Sequence, residues 1–253
     1  MAEWTATASR FVAFLDIMGF KDRVFRNKHE AVLKTMESFQ LALGEIEQQA
    51  EKRLQSVSTP FLVAKSPTPF LDYVERGSVV RPVFFSDSVL LVSSDNSKGS
   101  AWQILRTVDY VMGWAMKTGV PIKGAVAYGE QTDDFERSLH FGRPLIDAYE
   151  LQNELLLYAV ALHHSSQEHL TAQGFLTGLD GTFLPDYPAP LKAGQVRHYI
   201  VGITPDSSAN GLRKAAISRF YTTVSGTART YVDNTAKYLD WLAEKASESL
   251  KKT

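Results

Sequence analysis

The sequence predicts an α+β domain, a mostly antiparallel sheet with helices on one face, and three features carry that prediction. Residues 10–16, RFVAFLD, form an apolar run ending in an acid, which reads as a buried strand. Residues 79–93, VVRPVFFSDSVLLVS, read as two strands joined at Ser86-Asp87, a hairpin with an acid at its tip. Between and after these strands, apolar residues recur at helical spacing.

The elements follow in order. Gly19, just after the first strand, suits a tight turn. Val32, Met36, Phe39, Leu43 and Ile46 step by four and three residues, one stripe of a helix over about 29–50. Residues 51–78 hold Pro60, Pro67 and Pro69 among scattered polar residues and read as a loop or insertion. After the hairpin, Ile104, Val108, Val111 or Met112, and Ala115 mark a second helix over 100–118. PIKGAVAYGE (121–130) is a strand broken by Gly124 and Gly129. Phe141-Gly142 precedes a third helix, from Pro144 to His164, with proline in its first turn. Residues 174–195 are rich in Gly and Pro and read as loops; RHYIVGI (197–203) reads as a late strand. Ile217, Tyr221, Val224, Ala228, Tyr231, Thr235, Tyr238 and Leu242 fall near one face of a long C-terminal helix over 209–250. The order fits a single domain over 1–253 with a ferredoxin-like, palm-type core at about 10–203.

Composition narrows the chemistry. A hydrophobic fraction of 44% supplies a core, and a net charge of -1 provides no global basic field for nucleic acid. The absence of cysteine removes disulfides, thiolate zinc sites and cysteine nucleophiles. The start MAEWTATASR lacks the basic-then-apolar pattern of a signal peptide, and no apolar stretch approaches the ~20 residues of a membrane span, so a cytoplasmic protein is expected. The six histidines show no zinc spacing.

Asp16 and Asp87 stand out because each interrupts an apolar strand. With the hairpin beside the first strand, both acids meet at one sheet edge. Two close carboxylates repel, which raises one pKa, and a divalent cation between them removes the conflict. Hard oxygen ligands suit Mg²⁺ or Mn²⁺, and two such ions can stabilise the attacking and leaving oxygens of a phosphoryl displacement.

FLDIMGF (14–20) and FFSDSVLLV (84–92) resemble the two metal-binding motifs of class III nucleotide cyclases. PIKGAVAYGE (121–130) resembles a later glycine-bearing strand of that family, and FGRPLIDAYEL (141–151) the segment entering its catalytic helix. Two departures matter. Pro82, Val83, Phe84 and Phe85 occupy the stretch where adenylate and guanylate cyclases carry a charged base-reading residue, leaving Arg81 as the nearest charge. Asp147 or a neighbour stands at the catalytic-helix Asn position, and Leu151 falls where the transition-state Arg would be. The variant pattern resembles the pyrimidine cyclases of bacterial Pycsar antiphage systems.

That resemblance implies several things. UTP, or next CTP, is cyclised to the 3′,5′-monophosphate with release of pyrophosphate. Asp16, Asp87 and the Ile17 carbonyl hold two Mn²⁺ or Mg²⁺ ions. The chain forms a homodimer with composite sites, and the product activates a separate effector. Lys123 is a candidate point charge for triphosphate oxygens, and Arg143, at a helix start, a candidate replacement for the missing catalytic Arg. Phe20, Arg81, Phe85 and Asp147 are candidate substrate contacts; Glu150 lies three residues beyond Asp147 on the same helix. His163-His164 reads as a helix end, and Tyr221, Tyr231 and Tyr238 as packing or dimer contacts. Three other readings stand beside this one: an adenylate or guanylate cyclase with an unusual pocket, a degenerate nucleotide-binding regulator, and a polymerase palm, which the lack of basic surface disfavours.

Overall fold

A computed structural model describes residues 4–56, 80–178, 184–201, 215, 217–221 and 224–250. The strands are β1 (Thr7–Ile17), β2 (Val80–Phe85), β3 (Ser88–Ser93), β4 (Ile122–Asp134), β5 (Leu139–Gly142), β6 (Val160–Leu162), β7 (Asp186–Leu191) and β8 (Gly194–Val201). The helices are α1 (Phe20–Arg26), α2 (His29–Ser56), α3 (Lys98–Thr118), α4 (Arg143–Glu154), α5 (His164–Ala172), α6 (Phe175–Gly178) and α7 (Thr227–Leu250). One sheet runs in the order β2-β3-β1-β4-β6-β8-β7, with β5 paired to β4. Among the described residues every pairing is antiparallel except β4 with β6.

β1 is central because its sequence can be buried on both faces. Phe11, Ala13 and Leu15 point into the main core, where α3 contributes Ile104, Val108, Val111 and Met112. Val12, on the opposite face, packs with Leu90 and Val92 of β3 and against Leu145 of α4. Helices therefore cover both faces, which corrects the one-faced sandwich expected from sequence. The cause lies in β4: Ala125, Ala127 and Gly129 alternate on the Val12 face and let α4 settle close, with Pro144 3.3 Å from where a Gly129 Cβ would lie.

Both ends of α3 carry their own signals. Ser97 accepts from the Ser100 N–H at 3.1 Å, and Gly119 closes the helix at φ 73°, a left-handed cap that suits glycine.

Several predicted boundaries move. α2 continues through Ser56 into the stretch expected to be loop, and residues 57–78 of that insertion lie outside the described residues. The third helix ends at Glu154, not His164. From Leu155 the chain reads LLLYAVAL, and Leu155 and Leu157 to Leu162 are all buried. A segment with no polar side cannot lie on a sheet as a surface helix, so it becomes the approach to β6, which is parallel to β4. His163 is the N-cap of α5, so the histidine pair begins a helix where an end was expected.

The expected loop at 174–195 holds α6 and most of the β7–β8 hairpin. β7 tolerates Pro188 and Pro190 because it is the last strand of the sheet. The C-terminal stripe is read correctly in part, with Ile217, Thr235, Tyr238 and Leu242 all buried. It is not one helix: Gly226 adopts φ 60°, and α7 starts at the next residue. No described helix is long and apolar enough to cross a membrane.

Two glycines test this packing. A Cβ at Gly124 would lie 2.5 Å from the Phe14 carbonyl oxygen and 2.6 Å from Leu15 Cδ2, whereas one at Gly113, inside α3, meets nothing within 4 Å. Gly124→Ala is expected to destabilise the fold by about 1–3 kcal/mol in urea unfolding. Gly113→Ala is expected to stabilise it by about 0.5–1 kcal/mol.

Candidate active site

Asp16 sits one residue from the end of β1, in register between Ser88 of β3 and Lys123 of β4. Cross-strand partners share a face, so these three side chains project together. Asp87 occupies the β2–β3 turn, where Ser86 takes a left-handed φ of 53°. The Ile17 N–H donates to the Asp87 carbonyl oxygen at 2.8 Å and fastens the hairpin tip to the end of β1. This bond joins the two motifs read from sequence.

The electrostatics show the conflict that two acids create. Burial raises the Asp16 pKa above its ordinary value, and the Asp87 charge raises it further. The Lys123 charge and hydrogen bonds from Ser88 and Gln152 oppose the rise without cancelling it. The donor set fits a hard cation: two carboxylates, with the Ile17 carbonyl next in the chain. Among the described residues no group of three or more His, Cys, Asp or Glu forms a complete cage, so the remaining ligands would be water and phosphate oxygens, the usual manner of Mg²⁺.

Lys123 is only 3% exposed. Its Nζ donates to the Leu155 carbonyl at 3.3 Å and the Asn153 carbonyl at 3.5 Å. These lie at the C-terminal end of α4, where carbonyls lack helical partners and the helix dipole favours a cation. The Tyr231 ring of α7 lies 5.3 Å from the same nitrogen. Burial pulls the Lys123 pKa down to about 8, and Asp16 pushes it back up. A cavity of about 290 Å³ opens here, walled by Phe14, Asp16 and Met18 of the β1 end, Ser88, and Lys123. Tyr149, Gln152 and Asn153 of α4, Lys192 beyond β7, and Tyr231 close it.

The remaining predicted residues lie elsewhere. Arg81 stacks between Trp4 and Phe135, 4.5 and 5.0 Å from the ring centroids, and its register partner is Val92, well along β3 from Ser88. Arg143 is 80% exposed and pairs with Asp147 at 3.4 Å; Asp147 also faces His163 at 3.8 Å. Neither lines the cavity. Phe20 opens α1 and packs against the main core, and Phe85 stands exposed near His140. Leu151 belongs to the core, so no cation stands at its position.

Sequence reasoning missed Gln152, Tyr149, Asn153 and Lys192, and read Tyr231 as a packing or dimer contact. Gln152 carried one signal, a polar residue at a position the fold buries to 3% exposure. Lys192 carried none, because its place depends on a hairpin that was not predicted.

Two titrations test the site. Lys123 binds a proton less readily folded than unfolded, so below pH 8 its charge destabilises the fold in full. That cost is relieved as pH rises through 8, a range over which Tyr158, pushed up by burial to about 12, keeps its proton. Stability is therefore expected to rise between about pH 8 and 10, by at most about 1.4 kcal/mol per pH unit, and Lys123→Met should flatten the rise in urea titrations. Asp87→Asn removes a like charge and should lower the Asp16 pKa, read by carboxyl NMR.

No protein-family model matches the chain, and no curated protein matches its sequence. Among solved structures, the catalytic core of a rhodopsin-guanylyl cyclase with converted specificity, in complex with ATPαS, is similar at a TM-score of 0.50 and 14% identity, over 79% of this chain and 99% of that one. The guanylate cyclase domain of RhGC from Catenaria anguillulae, in complex with GTP, aligns at 0.48 and 14%, over 79% of this chain and 100% of that one. A class III adenylyl cyclase-like ATP-binding protein from Pseudomonas aeruginosa aligns at 0.45 and 12%, over 98% of this chain and 44% of that one. The first likeness shows the fold: the chain is built on the plan of a nucleotide cyclase catalytic core.

Proposed function

We propose that the chain is a nucleotide cyclase acting on a pyrimidine nucleoside triphosphate, UTP before CTP, as a second-messenger enzyme of the Pycsar antiphage type. The observation that carries the cyclase reading is the pairing of Asp16 with Asp87 at one sheet end, with like charge raising the Asp16 pKa, in a cyclase-core fold. The O3′ hydroxyl attacks the α-phosphorus, forming the new ester bond as the bond to the β-phosphate oxygen breaks. Pyrophosphate leaves and the hydroxyl proton passes to solvent. Asp16, Asp87 and the Ile17 carbonyl would hold divalent ions, Mn²⁺ or Mg²⁺, whose charge would acidify the attacking hydroxyl and offset that of the triphosphate. Lys123 adds a fixed positive charge beside Asp16, aimed by the α4 carbonyls.

The pyrimidine assignment rests on what the base-reading stretch lacks. Pro82–Phe85 offer no charged side chain, and Arg81 is engaged with Trp4 and Phe135. A homodimer with composite sites is supported by exposed apolar side chains: Phe85 at 47%, Ile146 at 57% and Tyr149, which lines the Asp16 cavity, at 49% exposed. The partner would supply the base contacts, and a separate effector in the cytoplasm would read the product.

A second reading is a nucleotide-binding regulator without turnover. One observation favours it: Leu151 is core and Arg143 is turned to Asp147, so neither of these positions supplies an arginine for the transition state.

Incubation with Mn²⁺ and each of the four NTPs, with products identified by mass spectrometry, separates these readings. A cyclic pyrimidine monophosphate is expected. Asp87→Ala should reduce it by more than the roughly 10–100-fold that loss of an outer-shell metal partner costs. A cyclic purine product would keep the cyclase and overturn the base. Nucleotide binding without product from any NTP would favour the regulator.

A further inference from the structure

α7 carries neither aspartate, yet it reaches their site. Asn234 Nδ2 donates to the Leu156 carbonyl at 2.8 Å, and the Tyr158 N–H donates to Thr235 Oγ1 at 3.0 Å. These bonds fasten α7 to the segment that leaves α4, the same segment whose Leu155 carbonyl accepts from Lys123. One helical turn before Thr235, the Tyr231 ring stacks on Tyr158 with centroids 5.7 Å apart at 15°. Its ring also faces the Lys123 ammonium at 5.3 Å. The ammonium is thus held between the end of α4 and an aromatic face, with Asp16 as its cross-strand neighbour.

We propose that Tyr231 is a positioning residue of the nucleotide site: its ring holds the Lys123 ammonium beside Asp16, so that docking of α7 sets the charge the site presents to a substrate triphosphate. The proposal rests on the nucleotide reading of the Asp16 site. The physical reason is the freedom of a lysine. Its four-carbon stem can place a compact charge in several ways, and at 3% exposure the Lys123 ammonium has given up the hydration that would otherwise satisfy it. Two long hydrogen bonds to carbonyls do not restrict it to one; a π face within about 6 Å adds an attraction that operates from the opposite side. The ring, not the hydroxyl, carries the role.

The test uses the full chain with Tyr231→Phe, Tyr231→Leu, Lys123→Met and the Lys123→Met/Tyr231→Leu pair. Calorimetry measures binding of UTP and ATP with Mn²⁺, product assays give KM and kcat, and NMR of ¹³Cε-labelled lysine reports on Lys123 directly. Tyr231→Leu is expected to weaken triphosphate binding and raise KM about 2- to 30-fold, the range a cation–π contact spans, with kcat little changed. Tyr231→Phe should behave as wild type. The aromatic displacement of the Lys123 signal should survive in Tyr231→Phe and vanish in Tyr231→Leu. In the Lys123→Met background, Tyr231→Leu should have no further effect on binding. An equal loss in that background, or an unmoved Lys123 signal, overturns the proposal. Binding without product overturns the cyclase and leaves the proposal to the calorimetric and NMR arms. No binding of either nucleotide by the wild type overturns both.

Discussion

The carboxylate of Asp16, buried at the end of an apolar strand, is the constraint around which the site is arranged. A lone charge there is costly, and the nearest charged neighbour on the hairpin is another acid. The protein does not remove the conflict. It fixes the second acid in place with the Ile17 to Asp87 main-chain bond, which does not depend on either side chain. It then answers with weaker groups: the Ser88 hydroxyl, the Gln152 amide and the Lys123 ammonium. Their sum leaves Asp16 still raised, first by burial and then by the Asp87 charge, a cost that a bound cation would offset.

The groups that answer Asp16 arrive from separate parts of the chain, and the packing explains how. Small side chains on one face of β4 bring α4 down onto the sheet, so its C-terminal carbonyls reach Lys123 from above. The all-apolar run after α4 cannot remain helical on a surface and drops into the sheet as β6. That drop exposes the Leu156 and Tyr158 main chain to α7, which bonds both. Core packing, helix termination and site electrostatics are therefore consequences of the same few residues. A change in the 155–158 segment would be felt at Lys123 before it was felt at Asp87.

The sequence made the ends of β1 and the hairpin legible because an acid inside an apolar run is a local signal. The Ile17 N–H bond to the Asp87 carbonyl joins the two motif ends, and Lys123, named from sequence as a candidate charge for triphosphate oxygens, lines the cavity beside Asp16. The residues that proved remote were chosen by linear proximity to the motifs. Arg81 alternates onto the Asp16 face, but several residues along a strand carry it out of reach, and Trp4 and Phe135 take up its guanidinium. Arg143 and Asp147 sit on α4 as expected but satisfy one another away from the cavity. What was illegible depended on non-local pairing. Neither the parallel β4–β6 register, nor Pro188 and Pro190 in an edge strand, nor the break at Gly226 follows from hydrophobic periodicity. Lys192 and Tyr231 enter the site through those features, whereas Gln152 lies on the helix that periodicity and Pro144 marked.

The surroundings of Asp16 are of two kinds. On one side lies a polar cavity holding both lysines, two side-chain amides and the Tyr231 ring. Tyr149 on the cavity wall, and Phe85 and Ile146 outside it, present apolar surface to solvent. A triphosphate needs fixed positive charge, and a protein partner needs apolar area to cover. Lys123 and Lys192 in the cavity offer the first, and the exposed Phe85 and Ile146 side chains leave the second open. Phosphate binding would then be a property of one subunit, tuned through α7. Base selection would depend on what the partner places across the Phe85 face. This division would let the base preference change without disturbing Asp16, Asp87 or Lys123. It is consistent with a chain that keeps both aspartate motifs while its Pro82–Phe85 stretch carries no charged side chain.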